Sequence, residues 1–304
     1  MAGARARLVV VVVSVAMVVL AAVVRHAAAT GGMGVARTPT GAPLPQAQYE
    51  VAVAASGRAA GLPKRFMVNE TFPDCLPPVL NQGGCGSCWA FAASEVLSAR
   101  TCIYAGEKVV LSPQALVSCD DVLKCEMGVL GGRAWHDLTK HGIPTLECVP
   151  YVSGDGKVPA CPTQCSAPGV AWKTYAAANY THVGSFIDPA SHIAAIKRAI
   201  MGGPVDVTFN VFAKFQEYPA GGVVFDGCHL SDGGRFTGMH SVMIVGWDDD
   251  MMGHGPAWLV QNSWGEAWPA TTPMGGPAGH FWIKAGVDCA GIESMVYAGF
   301  PATA

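Results

Sequence analysis

The chain has 304 residues, 51% of them hydrophobic, and its 19 Lys and Arg against 22 Asp and Glu give a formal net charge of -3. This is enough apolar material for one large domain or two fused halves, and it lacks the basic stripe needed to neutralise phosphates, so nucleic acid is set aside as a partner. Eleven cysteines, an odd number, leave at least one outside any set of bridges within the chain.

The chain begins "MAGARARLVVVVVSVAMVVLAAVVRHAAATGG", with Arg5 and Arg7 ahead of an apolar run from Leu8 to Val24 and small residues at Ala27, Ala28 and Ala29. That order predicts a secretory signal over residues 1–29. The apolar run approaches the roughly 20 residues that cross a bilayer, so a retained signal anchor is the alternative. No second run of that length follows, and the rest of the chain is expected to be soluble, without membrane contact unless the signal is kept. Either route leads to an oxidising compartment, where cysteines pair. Residues 30–61 are rich in Ala, Gly, Thr and Pro and read as a linker or pro-segment, with the folded part starting near Leu62.

Asn81, Gly83, Gly84 and Gly86 supply a tight loop, and "CWAFAASEVLSARTCI" then predicts a helix from Cys88, with Ala92, Val96, Ala99 and Ile103 at helical spacing. Residues 119–170, dense in Cys, Gly and Pro, read as loops held by bridges. A second helix is predicted over 191–201, capped by Ser191 and closed by Gly202, Gly203 and Pro204. Then come the strand-like runs "VDVTFNVF", "HSVMIVGW" and "AWLVQNSW", a Pro/Gly loop over 269–279, and the strand "HFWIKAG". The three aspartates at 248–250 read as a solvated turn. The halves differ, helical first and sheet-like second, which makes the class α+β.

The stretch "NQGGCGSCWAF" admits two readings of Cys85 and Cys88. One is a zinc knuckle, carried by the Cys-x-x-Cys spacing alone and without a second pair at zinc spacing. The other places Cys88 in the first turn of a helix, where backbone N–H groups and the helix dipole favour thiolate over thiol. A working thiolate also needs a proton acceptor, a group orienting that acceptor, and donors for an oxyanion. His240 and Asn262 each lie eleven residues from Met251, so a hairpin turning there would set them roughly opposite each other. Gln82 has a side-chain amide able to join the Cys88 N–H as an oxyanion donor. A catalytically silent binding protein is the further alternative.

These motifs resemble the papain family of cysteine peptidases, in its cathepsin B-like branch. The likeness rests on "QGGCGSCWAF", "GGRAW", "GPV", "GMHSVMIVGW", "QNSWG" and "CAGIES", and it extends from Leu62 to about Pro301. It implies a two-lobed α+β fold over residues 62–304, with a helical first lobe, a β-barrel-like second lobe and the active-site cleft between them. It further implies Cys88 as nucleophile, His240 as acid and base, Asn262 as orienter and Gln82 as oxyanion donor, with Trp264 shielding the His240 to Asn262 bond. Gly131 and Gly132 would bind extended substrate, and Met295 would floor the main specificity pocket. The implied bridges are Cys75 with Cys102, Cys85 with Cys125, Cys119 with Cys161, Cys148 with Cys165, and Cys228 with Cys289, leaving Cys88 free.

The resemblance implies a monomeric endopeptidase acting on polypeptides, made as a zymogen with residues 30–61 as a short pro-segment. A lysosome-like or vacuolar compartment, or the outside of the cell, is its expected destination. It implies inhibitors of the cystatin type, and no cofactor or metal. Asn69 and Asn179 head glycosylation sequons. Two departures stand out. The span "ECVPYVSGDGKVPACPTQC" lacks the adjacent histidines of cathepsin B proper, with His136 and His141 upstream expected at the surface, and Met295 stands where that branch often carries an acid.

Overall fold

The computed structural model describes residues 61–126, 131–188, 190–218, 223–269 and 276–302. The predicted signal over 1–29, nearly all of the predicted pro-segment, and residues 270–275 of the Pro/Gly loop lie outside the described residues. No helix among the described residues is long and apolar enough to cross a membrane.

Seven antiparallel strands form one sheet: β1 (Arg65–Met67), β2 (Ala177–His182), β3 (Val205–Phe212), β4 (Phe236–Asp248), β5 (Ala257–Gln261), β6 (His280–Lys284) and β7 (Met295–Pro301). Their order in space is β2-β7-β3-β4-β5-β6, with β1 paired to the far end of β4. The sheet is open. β2 and β6 end it instead of closing on each other, so the second lobe expected to be β-barrel-like is an open antiparallel sheet. Beyond β6, among the described residues, a single parallel bridge joins Phe225 and Ile283.

Alternation along the strands assigns each face its own partner. On one face Val205, Val207, Phe209, Val242, Ile244, Trp258, Val260, Phe281, Ile283 and Val296 join one core with the helix Ile193–Met201. On the other, Met243, Val245, Leu259 and Trp282 meet the helical half in a second core. Burying an aliphatic or Phe side chain of this kind contributes roughly 1.5–3 kcal/mol.

The helix Cys88–Ala105 is the centre of that second core. Every residue from Cys88 to Cys102 is buried, so the apolar spacing expected to mark one inward stripe lies in a helix enclosed on all sides. Gly106, at φ 71°, ends it in the left-handed conformation that glycine adopts freely. Arg100, buried in the same helix, donates to the carbonyls of Ala199, Gly203 and Pro204 and so caps the C-terminus of Ile193–Met201.

Three local expectations are corrected. The second helix begins at Ile193 after a 3-10 turn, and Ser191 does not cap it because its hydroxyl is taken by the Asp188 carbonyl and by His192. The 119–170 stretch is not all loop: Gly131–Lys140 is helical, since Ala134, Trp135 and Leu138 give it one buried face. Of the aspartates at 248–250, Asp248 ends β4 and lies 3.6 Å from Arg65, and Asp249 pairs with Lys197, so these two are not a freely solvated turn.

Five disulfides join Cys75 to Cys102, Cys85 to Cys125, Cys119 to Cys161, Cys148 to Cys165 and Cys228 to Cys289. Cys88 is free and buried.

Candidate active site

The loop before the long helix is fixed by close backbone approach. Gly83 has φ 61°, and a Cβ there would lie 2.7 Å from the Gly154 carbonyl oxygen, which the Gly84 N–H reaches at 2.7 Å. Only glycine satisfies both conditions. Gly86 N–H donates to the Cys125 carbonyl beside the Cys85–Cys125 bridge. The Cys-x-x-Cys spacing is therefore split between a bridged cysteine and a free one, which removes the zinc knuckle.

The loop delivers Cys88 to the first turn of the helix, 3% exposed, where burial opposes the thiolate and the N–H groups of Trp89 and Ser241 and the Ser241 hydroxyl favour it. Ser241 belongs to β4, one residue beyond His240. Ser87, at the cap position, gives its hydroxyl to the Tyr151 hydroxyl at 2.8 Å.

His240 comes from β4 and Asn262 from the residue just after β5. Their side chains meet, with His240 Nε2 donating to Asn262 Oδ1 at 2.7 Å; the amide oxygen can only accept, so the proton is assigned to Nε2. The pair is joined diagonally and not by direct strand register, because the last β4 to β5 pair is Met243 with Gln261 and a bulge shifts the ladder between Ile244 and Gly246. Asn262 Oδ1 also accepts the Ser263 N–H at 2.8 Å, which fixes the amide's direction.

Trp264 stacks on the His240 ring at 4.8 Å and 27°, and Phe209 meets it edge-on at 5.9 Å. Behind Trp264 stand Trp268 and Phe215, at 4.9 and 5.8 Å. This aromatic wall keeps water from the His240 to Asn262 bond, so Trp264 packs on the imidazole and serves it before any substrate.

Gln82 is tied to the same strand end. Its carbonyl side-chain oxygen accepts from Ser263 Oγ at 2.7 Å, its Nε2 donates to the Cys85 carbonyl at 2.9 Å, and its backbone N–H donates to the Ser263 carbonyl. One Nε2–H is used in this way and the second is free. Ser263, Tyr151 and Ser241 were not singled out from the sequence, although Ser263 lies inside the "QNSWG" motif; what revealed them is their contact with residues that were.

Burial acts on both groups of the thiol and imidazole pair in the same sense. It pushes the Cys88 thiol up and the His240 imidazole down to about 4, so each opposes a charge of its own.

Gly132 sits at the start of Gly131–Lys140, where a Cβ would lie 3.2 Å from the Tyr297 hydroxyl. Gly131 begins the same helix. Met295 opens β7 opposite Thr208, whose hydroxyl shares a 2.8 Å hydrogen bond with that of Ser241. Met295 lines a groove of about 820 Å³ with Phe186, Phe209, Phe212 and Ala290.

The chain matches the family model described as Papain family cysteine protease over residues 62–300. It is 36% identical over 245 residues to Cathepsin B-like CP2 of Giardia intestinalis, covering 79% of this chain and 74% of that protein. Among solved structures it resembles proCathepsin B S9 from Trypanosoma congolense, with TM-score 0.64 and 25% identity over 81% of this chain and 80% of that one. It also resembles the bromelain protease from Ananas comosus in complex with the E64 inhibitor, with TM-score 0.61 and 25% identity over 79% of this chain and 99% of that one. With the motif residues drawn together around one free thiol, these matches establish that the chain belongs to the papain family of cysteine proteases, in its cathepsin B-like branch.

Proposed function

We propose that this protease is a cysteine endopeptidase in which Cys88 is the nucleophile, His240 the acid and base, Asn262 the orienter and Gln82 an oxyanion donor. The observation that carries this reading is a free, buried thiol at the start of the Cys88–Ala105 helix, favoured as thiolate by Ser241, the neighbour in β4 of the His240 that makes the 2.7 Å bond to Asn262. His240 Nδ1 takes the thiol proton, and the sulfur attacks the peptide carbonyl carbon. The oxyanion is held by the Cys88 N–H and the second Nε2–H of Gln82. His240 returns the proton to the leaving amine, and water then hydrolyses the thioester. Burial opposes either charge alone, so in this reading thiolate and imidazolium form together, by transfer of the proton from one to the other.

The domain boundary near Leu62 is supported by Trp247, whose indole N–H donates to the Pro63 carbonyl at 3.1 Å, and by the pairing of β1 with β4. Residues 30–61 then form the pro-segment of a zymogen that enters the secretory pathway behind the signal over 1–29. It is delivered to a lysosome-like compartment or secreted, and acts as a monomer open to inhibitors of the cystatin type.

An open cleft follows from the span between Cys148 and Cys165, which holds no histidine, while His136 and His141 lie exposed outside it. Protein cut near Leu62 and incubated with a thiol-directed epoxide is expected to take one equivalent on Cys88, and to cut a long peptide blocked at both ends at internal bonds. No label would favour a silent binding protein, and release of carboxy-terminal dipeptides alone would overturn endopeptidase action.

The apolar groove at Met295 favours Leu, Val or Phe two residues upstream of the cut. Asp288, in the same groove, has its oxygens engaged by the Glu293 N–H and the Ser294 hydroxyl, so it is not free to pair with arginine. Met295→Glu is expected to raise kcat/KM for arginine at that position by about 10-fold or more, since a charge-assisted hydrogen bond contributes about 1.5–3 kcal/mol. Peptide libraries in which the unaltered enzyme prefers arginine would sink this assignment.

A further inference from the structure

Tyr151 touches both ends of the loop that carries the oxyanion donors. Its hydroxyl donates to the main-chain carbonyl of Gln82 at 2.9 Å and lies 2.8 Å from the Ser87 hydroxyl. A carbonyl can only accept, so the single phenol proton goes to Gln82 and the Ser87 hydroxyl donates to Tyr151. Burial pushes the phenol up against the pull of the Ser87 bond, which keeps it protonated and a donor through the neutral range.

An oxyanion donor stands at each end of that loop. Gln82 has five hydrogen-bonding positions, and four are taken: its N–H and Oε1 by Ser263, one Nε2–H by the Cys85 carbonyl, and its own carbonyl by Tyr151. The position left is the Nε2–H that faces the oxyanion. At the other end the carbonyl carbon of Ser87 is bonded to the Cys88 nitrogen in a planar unit, so a turn of the Ser87 backbone redirects the Cys88 N–H. Ser87 is wholly buried, and its carbonyl accepts the N–H groups of Ala90 and Phe91.

Tyr151 is itself held from behind. Phe91 meets its ring edge-on at 4.7 Å. The N–H groups of Val152 and Ser153 donate to Gln114 Oε1 at 2.8 and 3.0 Å, and Gln114 Nε2 donates to the Ser153 hydroxyl at 2.9 Å. Gln114 and Ser153 are both buried, and the Gly154 carbonyl takes the Gly84 N–H. The segment 151–154 thus grips the loop at Gln82, Gly84 and Ser87.

We propose that Tyr151 is a positioning residue for the oxyanion hole: one phenol oxygen, bonded to both Gln82 and Ser87, sets the separation between the Gln82 amide and the Cys88 N–H. Such donors act only when they lie about 2.7–3.1 Å from the developing charge, and a displacement of about 1 Å costs on the order of 100-fold in rate.

The inference rests on Gln82 and the Cys88 N–H forming that hole, and the test separates the two. Tyr151→Phe keeps the ring against Phe91 and removes the oxygen. The processed variant is expected to lose about 10- to 100-fold in kcat/KM on a blocked peptide amide. It should bind a peptide aldehyde more weakly by a similar factor, because the Cys88 sulfur adds to the aldehyde carbon and the carbonyl oxygen, taking the electron pair, enters the hole. Alkylation of Cys88 by iodoacetamide displaces iodide and forms no oxyanion, so its rate should stay within about twofold. A fall in all three together would mark a merely structural loss and overturn the proposal. Ser87→Ala leaves Tyr151 on Gln82 and should cost about 3- to 10-fold, and the double variant should be no worse than Tyr151→Phe, since one oxygen serves both contacts. Should Tyr151→Phe fail to fold, Ser87→Ala carries the same comparison, with aldehyde binding weakened and alkylation unmoved. Unchanged activity in Gln82→Ala would remove the hole itself. An impaired Gln82→Ala beside a Tyr151→Phe enzyme of unmoved activity and aldehyde affinity overturns the role of Tyr151 and leaves the hole in place.

Discussion

Cys88→Ser lowers kcat/KM by about 10⁵-fold or more, the scale on which loss of a protease nucleophile is felt. The reason lies in position as well as element. A serine hydroxyl at the start of the Cys88–Ala105 helix would still meet the N–H groups of Trp89 and Ser241, but these do not bring its proton affinity within reach of an imidazole that burial holds near 4. The variant should fold, since the five bridges and both cores are untouched. Single-turnover assays on processed protein check it, with circular dichroism as the control. Activity within about tenfold of the parent would remove Cys88 from the chemistry.

Gly299→Ala should be the most damaging small substitution in the sheet. A Cβ at Gly299 would lie 1.9 Å from Cζ3 of Trp135 and 2.3 Å from Cε3. The indole cannot retreat, because it is wholly buried and anchored through its N–H to Asp206. Overpacking of this severity costs about 3 kcal/mol or more, which for a domain of this size lowers Tm by roughly 6–12 °C. Thermal unfolding of the processed protein measures it. Combining the change with Trp135→Leu should restore part of the loss, and a drop of under 2 °C in the single variant would show that the ring and the strand are not in contact.

Much of this arrangement was legible because the residues at the site are also the ones that shape the backbone there. Glycines that permit the Gly83 to Gly154 crossing make "QGGCGSCW" readable, and the alternation of "VDVTFNVF" and "HSVMIVGW" announces β3 and β4 before any fold is known. The elements that went unread are those whose pattern is supplied by neighbours. β2, "AANYTH", is an edge strand with one buried residue, and β7 carries Gly299 only because Trp135 lies across it. The helix Gly131–Lys140 opens with two glycines, a start that local preference disfavours and that tertiary packing of Trp135 overrides. Pro113–Cys119 was likewise passed over, although Ser112, whose hydroxyl accepts the Ala115 N–H, and Pro113 form a proper helix opening. Asp206 could not have been singled out at all, since a lone acid in a strand acquires meaning only when the Trp135 indole is seen against it.

Both ends of the described chain reach both cores. Phe66 and Val68, near its beginning, and Val296 and Ala298, near its end, are buried in one core, while Met67 and Tyr297 between them face the core of the helical half. A chain still emerging from synthesis lacks β7, so neither core is complete until that strand is added, and a peptidase built in this way acquires its cutting edge late in its own making.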